Sequence, residues 1–105
     1  MIQIPNIVIP QEKIVAFCEK WHITEMALFG SVLRDDFRPE SDVDVLVTFD
    51  ENTRISLFDL VKMEDELKMI FGRNVDLGMR ATVESNPNYI RRKAILRSLQ
   101  VIYAA

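Results

Sequence analysis

A chain of 105 residues with 13 Lys and Arg against 16 Asp and Glu carries a formal net charge of −3, which argues against a direct nucleic-acid partner, since a phosphate backbone is usually met by a basic face. Apolar residues at 49% and charged residues at 28% describe an ordinary globule; the length suits one domain over residues 1–105, and no apolar run approaches the ~20 residues needed to span a membrane. The single Cys18 has no intrachain disulfide partner, and Met1 to Ile9 lacks a basic region and contains Pro5 and Asn6, unlike a secretory leader, so a cytoplasmic setting is expected.

In chain order, Pro10 suits the first turn of a helix running to about Trp21, with Ile14, Val15, Phe17 and Cys18 as its apolar face. Thr24 to Phe29 reads as the first strand. Gly30 then permits a tight turn and close backbone approach, and Ser31 sits where a helix can begin. Asp35 to Glu40 is polar and carries Pro39, so it reads as a loop into a strand that starts near Ser41. After Asp50-Glu51-Asn52, Ser56 with Asp59 forms a capping-box start to a second helix. Its expected apolar stripe is Leu57, Leu60, Val61, Leu67, Ile70 and Phe71, and it closes at Gly72. Phe58, Met63, Met69 and Tyr103 read as packing residues, with a partner interface as the alternative for some of them. Val75-Asp76-Leu77 is expected to be the next strand, and Asn86-Pro87 to open a last helix with Ile90, Ile95, Leu99 and Ile102 facing inward.

Period-two alternation in the strand near Ser41 puts Asp42 and Asp44 on one face and Val43, Val45, Val47 and Phe49 on the other. The two acidic residues are then separated by roughly 6.5 to 7 Å between alpha carbons, within reach of one small cation or a close pair. Asp76 is the candidate third acid, brought alongside by strand pairing. Two carboxylates ~5 Å apart repel by about 3 kcal/mol at an effective dielectric of 20. Protonation, an Arg partner or a divalent cation relieves such crowding, and Mg²⁺ with nucleoside triphosphate oxygens suits three acids beside a Gly-Ser turn. The Ser31 hydroxyl and nearby amides are placed to hold phosphate oxygens, and Arg34 to meet phosphate charge or to pair with Asp36. No Walker-type Gly-Lys-Ser/Thr is present.

Each feature alone has a plainer explanation. An isolated Asp-x-Asp more often caps a turn or pairs with an Arg such as Arg34 or Arg38, and a lone Gly-Ser is usually only a turn. Asp76 alone reads as a solvated edge-strand acid, Asp36 as a helix-surface acid or a contact that shapes the loop, and His22 as a helix-end residue. The cluster Arg91, Arg92, Lys93 and Arg97 reads as a solvated helix face, with the acidic surface of a partner or ATP phosphates as the alternative contact.

The joint spacing changes those odds. The run Gly30-Ser31-x-x-Arg34-x-Asp36-x-x-x-x-Ser41-Asp42-x-Asp44, followed by an apolar strand, resembles the signature of minimal nucleotidyltransferase (MNT) domains of the DNA polymerase beta superfamily. Asp76, after Phe71-Gly72-Arg73-Asn74-Val75, matches the third acid of that family, and the resemblance extends from about Met26 to the C-terminus. Leu33 and Asp35 depart from it, since many relatives carry a small residue and a glycine there. The resemblance implies an α+β fold, a small mixed β-sheet flanked by helices, with Asp42, Asp44 and Asp76 as catalytic metal ligands. It implies two Mg²⁺ ions, ATP as substrate, and Gly30, Ser31 and Arg34 as its phosphate contacts. Small MNT proteins are often antitoxins that transfer AMP from ATP to a tyrosine hydroxyl of a HEPN-domain ribonuclease toxin. With 105 residues leaving no room for an acceptor domain, a partner must present the acceptor, in a hetero-oligomer with the toxin or a homodimer. A non-catalytic antitoxin that blocks its toxin sterically, and a small-molecule nucleotidyltransferase, are the alternatives.

Overall fold

The local signals at helix ends translate directly into backbone geometry. In the computed structural model, which describes residues 7, 9–33, 42–80, 88, 93 and 99–105, Pro10 stands at the N-cap of α1 (Gln11–Trp21) and His22 closes that helix in the left-handed region at φ 59°. The His22 N–H donates to the Cys18 and Glu19 carbonyls, satisfying carbonyls that a helix end leaves open. β1 (Ile23–Phe29) follows at once and runs into a short 3-10 turn over Gly30–Leu33. β2 (Val43–Phe49), α2 (Leu57–Phe71), β3 (Val75–Met79) and β4 (Gln100–Ala104) complete the described elements. α2 carries the expected capping box: the Ser56 hydroxyl accepts from the Asp59 N–H at 3.1 Å, and the Asp59 carboxylate accepts from the Ser56 N–H at 3.0 Å. Gly72 ends the helix at φ 67°, where a side chain would be strained.

The four strands form one mixed sheet in the order β3-β2-β1-β4. β1 is antiparallel to both β2 and β4, while β2 and β3 are parallel and joined through α2, the connection that a parallel pair requires. Val43, Val45 and Val47, together with Met26, Leu28, Val75 and Ile102, meet Ile14, Phe17 and Cys18 of α1 and Met63 and Leu67 of α2. Both described helices therefore cover the same sheet face, and the valine side of β2 packs as its alternation predicts. The end of α1 is tied to α2 by Glu66, which accepts from Trp21 Nε1 at 3.2 Å and from Lys20 Nζ at 2.7 Å. Lys20 Nζ also lies 5.2 Å from the Trp21 ring centroid, a cation–π geometry. No helix among the described residues is long and apolar enough to cross a membrane.

Two expectations are corrected. Of the stripe expected on α2, Leu67 is buried and Leu60, Ile70 and Phe71 are half-buried, but Leu57 and Val61 are exposed. Met63 packs as expected, whereas Phe58 and Met69 stand in solvent. The last helix does not reach Ile102: residues 100–104 are strand β4, and Ile102 is buried from the sheet rather than from a helix. Of the segment expected to precede it, only Asn88 and Lys93 lie within the described residues, with Lys93 helical and exposed; Ile90, Ile95, Arg91, Arg92 and Arg97 lie outside them.

Candidate active site

The parallel register between β2 and β3 decides where the acids meet. Val43 pairs with Val75 and Asp44 pairs with Asp76, so the valine pair enters the helix-covered core and the aspartate pair leaves from the opposite face. Adjacent strands lie about 4.8 Å apart, which sets two carboxylates side by side on an otherwise apolar ladder. Asp42 stands one residue before β2 and is exposed, as is Asp76, while Asp44 is half-buried. The Val43 N–H donates to the Asn74 carbonyl at 2.9 Å, so the extended backbone is held right up to Asp42, and alternation carries Asp42 to the Asp44 face.

On its other side Asp44 pairs with Phe29, the last residue of β1. The chain turns there at Gly30 with φ +76°, and a Cβ at this glycine would lie 2.3 Å from Asp44 Oδ2 and 3.3 Å from its Cγ. The Asp44 carboxylate therefore occupies the space that any side chain at Gly30 would need. This contact joins the glycine turn and the acidic strand into one site. Over Gly30–Leu33 the chain forms a 3-10 turn at the point where the sequence places a helix start, and the N–H groups that open such a turn are what it offers to an anion. The side chain of Ser31 and all of Arg34, Asp36 and Ser41 lie outside the described residues.

The same face carries a contact that the sequence reading missed. Glu25, opposite Thr48 on β2, forms a salt bridge with Arg80 just past the end of β3, spanning β2 at the end of the sheet away from the acids. Between the two lie Ala27, Leu46 and Gly78, of which Leu46 sits directly beside Gly78 in the ladder. A Cβ on Gly78 would come within 3.2 Å of the Leu46 side chain, so the glycine keeps this middle zone flat. A pair separated by 55 positions leaves no local signal in a sequence.

As donors, Asp42, Asp44 and Asp76 are all carboxylates, the set that suits a hard divalent cation with open positions left for water and phosphate. Register brings Asp44 and Asp76 together and leaves Asp42 exposed, one residue before β2. As placed, no three His, Cys, Asp or Glu side chains among the described residues stand close enough to share an ion; convergence of this set requires rotation of the exposed carboxylates of Asp42 and Asp76.

A family model for the nucleotidyltransferase domain matches residues 11–101. The protein adenylyltransferase MntA of Thermococcus cleftensis is 34% identical over 85 residues, covering 81% of this chain and 78% of that protein. Among solved structures, a toxin–antitoxin complex with AMP-PNP superposes with a TM-score of 0.68 at 15% identity, covering 91% of this chain and 74% of that one. A complex of the tri-AMPylated Shewanella oneidensis HEPN toxin with its MNT antitoxin superposes with a TM-score of 0.60 at 15% identity, covering 90% and 70%. At such identities the two structures establish the shared fold. Matched by the family model over most of its length, this chain belongs to the nucleotidyltransferase domain family.

Proposed function

We infer that this protein is an adenylyltransferase antitoxin that transfers AMP from ATP to a tyrosine hydroxyl of a HEPN-domain toxin and so neutralises it. The observation that carries this reading is the register of Asp44 beside Asp76, with the Asp44 carboxylate closed over Gly30. A relative named as a protein adenylyltransferase, 34% identical over most of its length, supports AMP as the transferred group. The fold shared with an antitoxin bound to a tri-AMPylated HEPN toxin supports the partner class. The acting unit is a single domain over residues 1–105, working in the cytoplasm.

The reaction is an in-line displacement in which the tyrosine oxygen bonds to the α-phosphorus as the bond to pyrophosphate breaks. Asp42, Asp44 and Asp76 would hold two Mg²⁺ ions, which when bound neutralise phosphate charge and lower the pKa of the attacking hydroxyl. Gly30 lets the backbone approach the nucleotide, since nothing larger than hydrogen fits beneath Asp44. Ser31 and Arg34 orient the β and γ phosphates. Asp76, the more exposed member of the pair, meets the incoming hydroxyl and orients its proton toward solvent, which takes it up as the new bond to phosphorus forms. Most of the rate comes from this placement and charge neutralisation.

Incubating the protein with a HEPN toxin and labelled ATP tests the reading, with an AMP-sized mass addition on a toxin tyrosine as the expected product. Asp42→Ala and Asp44→Ala each abolish the label while the fold is retained, because removing one of several mutually repelling carboxylates relieves the apo protein. Undiminished labelling by both variants refutes the catalytic assignment, and toxin inhibited without any mass addition refutes the transferase reading.

A further inference from the structure

α2 presents solvent with a face that the active site does not use. Phe58 is 81% exposed and Met69 84%, and between them on the same stripe lie exposed Lys62 and Asp65. The spacing from 58 to 62 to 65 to 69 is four, three, four, the seam spacing of a helix that packs against another helix. Neither Lys62 nor Asp65 forms a salt bridge among the described residues. Exposed Leu57 and Val61 widen the apolar area on one flank. The acidic residues of the other flank are already engaged, Asp59 in the capping box with Ser56 and Glu66 with Lys20 and Trp21; Lys62 acts on the Asp59 carboxylate only through charge, without a salt bridge.

The order along the stripe is apolar, positive, negative, apolar, and its reverse is complementary to itself. We propose that two copies of this chain associate through antiparallel packing of α2 against α2, with Phe58 on the Met69 of the second copy and Lys62 on its Asp65. A two-fold axis passing between residues 63 and 64 forms each of these pairs twice, as an isologous contact demands. Other arrangements lose the match. Parallel helices set Lys62 on Lys62 and Asp65 on Asp65; sliding the antiparallel pair by one heptad sets Phe58 on Lys62, or Met69 on Asp65. Charge thus selects both direction and register, the role that polar seam positions play in paired helices.

The geometry leaves the acids free. α2 packs its inner side on the valine face of the sheet, and Asp44 and Asp76 leave from the other face. The dimer therefore carries two outward-facing sites. The stripe is about 16 Å long at ~1.5 Å per residue, shorter than the seam of an obligate dimer, so association depends on concentration.

Sedimentation equilibrium of the purified chain from micromolar to millimolar concentration reads the result directly. The expected species is a concentration-dependent dimer of the 12.2 kDa chain. Lys62→Asp and Asp65→Lys each make the face single-signed and weaken self-association by on the order of tenfold or more, since two attractive pairs become two repulsive ones. An equimolar mixture of these two variants restores a dimer, and the double exchange Lys62→Asp with Asp65→Lys restores it within one chain. All the substituted positions are exposed, and circular dichroism checks that the helix is kept. A chain that stays monomeric throughout overturns the proposal. So does a dimer indifferent to both single substitutions, or two single variants that fail to complement each other.

Discussion

Substituting Gly30 by alanine separates backbone strain from damage to the site. At φ +76° a residue with a Cβ pays roughly 1–2 kcal/mol, offset in part by about 0.4–1 kcal/mol from the stiffer unfolded chain. Gly72, at φ +67° with nothing within 4 Å of an added Cβ, carries the same strain without any clash. Gly72→Ala should then lower stability by up to about 1.6 kcal/mol, with Tm falling by roughly 4–8 °C for each 1 kcal/mol in a domain of this size, and leave activity unchanged. At Gly30 the new Cβ would sit 2.3 Å from Asp44 Oδ2, whereas ordinary contact begins near 3.4 Å. The carboxylate must yield by the difference, about 1 Å, and misplacement on that scale costs on the order of 10²-fold in rate. Thermal unfolding followed by circular dichroism and AMP transfer from labelled ATP give the two readouts. Gly30→Ala should lose at least as much stability as Gly72→Ala and, unlike it, nearly all activity. Transfer by Gly30→Ala within a factor of two of wild type would show that the closeness of Gly30 to Asp44 does not serve catalysis.

Asp76→Asn should lower turnover more than ATP affinity, measured by comparing kcat with nucleotide binding; equal losses in both would make Asp76 a binding residue. Ser56→Ala should cost about 1 kcal/mol by removing the N-cap, read as a fall in urea midpoint. The Ser56 N–H, and after it the Ser56 hydroxyl, hold the Asp59 carboxyl below the usual carboxylate range. A lowered folded pKa means stability that is present above the unfolded value near pH 4 and lost as pH falls through the folded one; Ser56→Ala keeps the larger backbone N–H contribution and removes only that of the hydroxyl, so it should flatten the acid limb of the stability profile only in part. Burial pushes the Cys18 thiol up to about 12, and its side chain is fully enclosed by the core. The raised value stabilises the fold fully below the unfolded pKa near 8.5, and that contribution is lost as pH rises toward the folded one. At pH 8 iodoacetamide should label Cys18 only after urea unfolding; rapid labelling of the native protein would show the core to be open there.

Much of the site was legible because its signals are local. The alternation of Asp42 and Asp44 with valines assigned faces within one strand, and that parity needs no knowledge of the neighbours. The capping box at Ser56 and the stops at His22 and Gly72 are likewise properties of a few adjacent residues. Pairing of Val75-Asp76-Leu77 with the acidic strand is expected from the sequence, and the parallel register sets Asp76 beside Asp44.

What local pattern left open was settled by contacts between distant segments. The first half of α2 carries apolar residues on nearly every side, Leu57, Phe58, Leu60, Val61 and Met63, so periodicity alone selects no single buried face. The sheet chooses Met63 and Leu67 by the side on which the helix lands, leaving Phe58, Val61 and Met69 outward. The segment ending in Val101-Ile102-Tyr103 fits a helix by spacing, yet an open edge beside β1 receives it as β4, where β-branched and aromatic residues pack well. The Glu25–Arg80 bridge and the contact of Gly30 with Asp44 follow from strand order. From its sequence alone this chain determined which residues form the acidic strand and where its two main helices begin and end, because those choices depend on dihedral preference and side-chain parity. Only the tertiary structure decided that β4 closes the edge beside β1 and which helix face was buried, because those depend on surfaces that residues far apart in sequence create together.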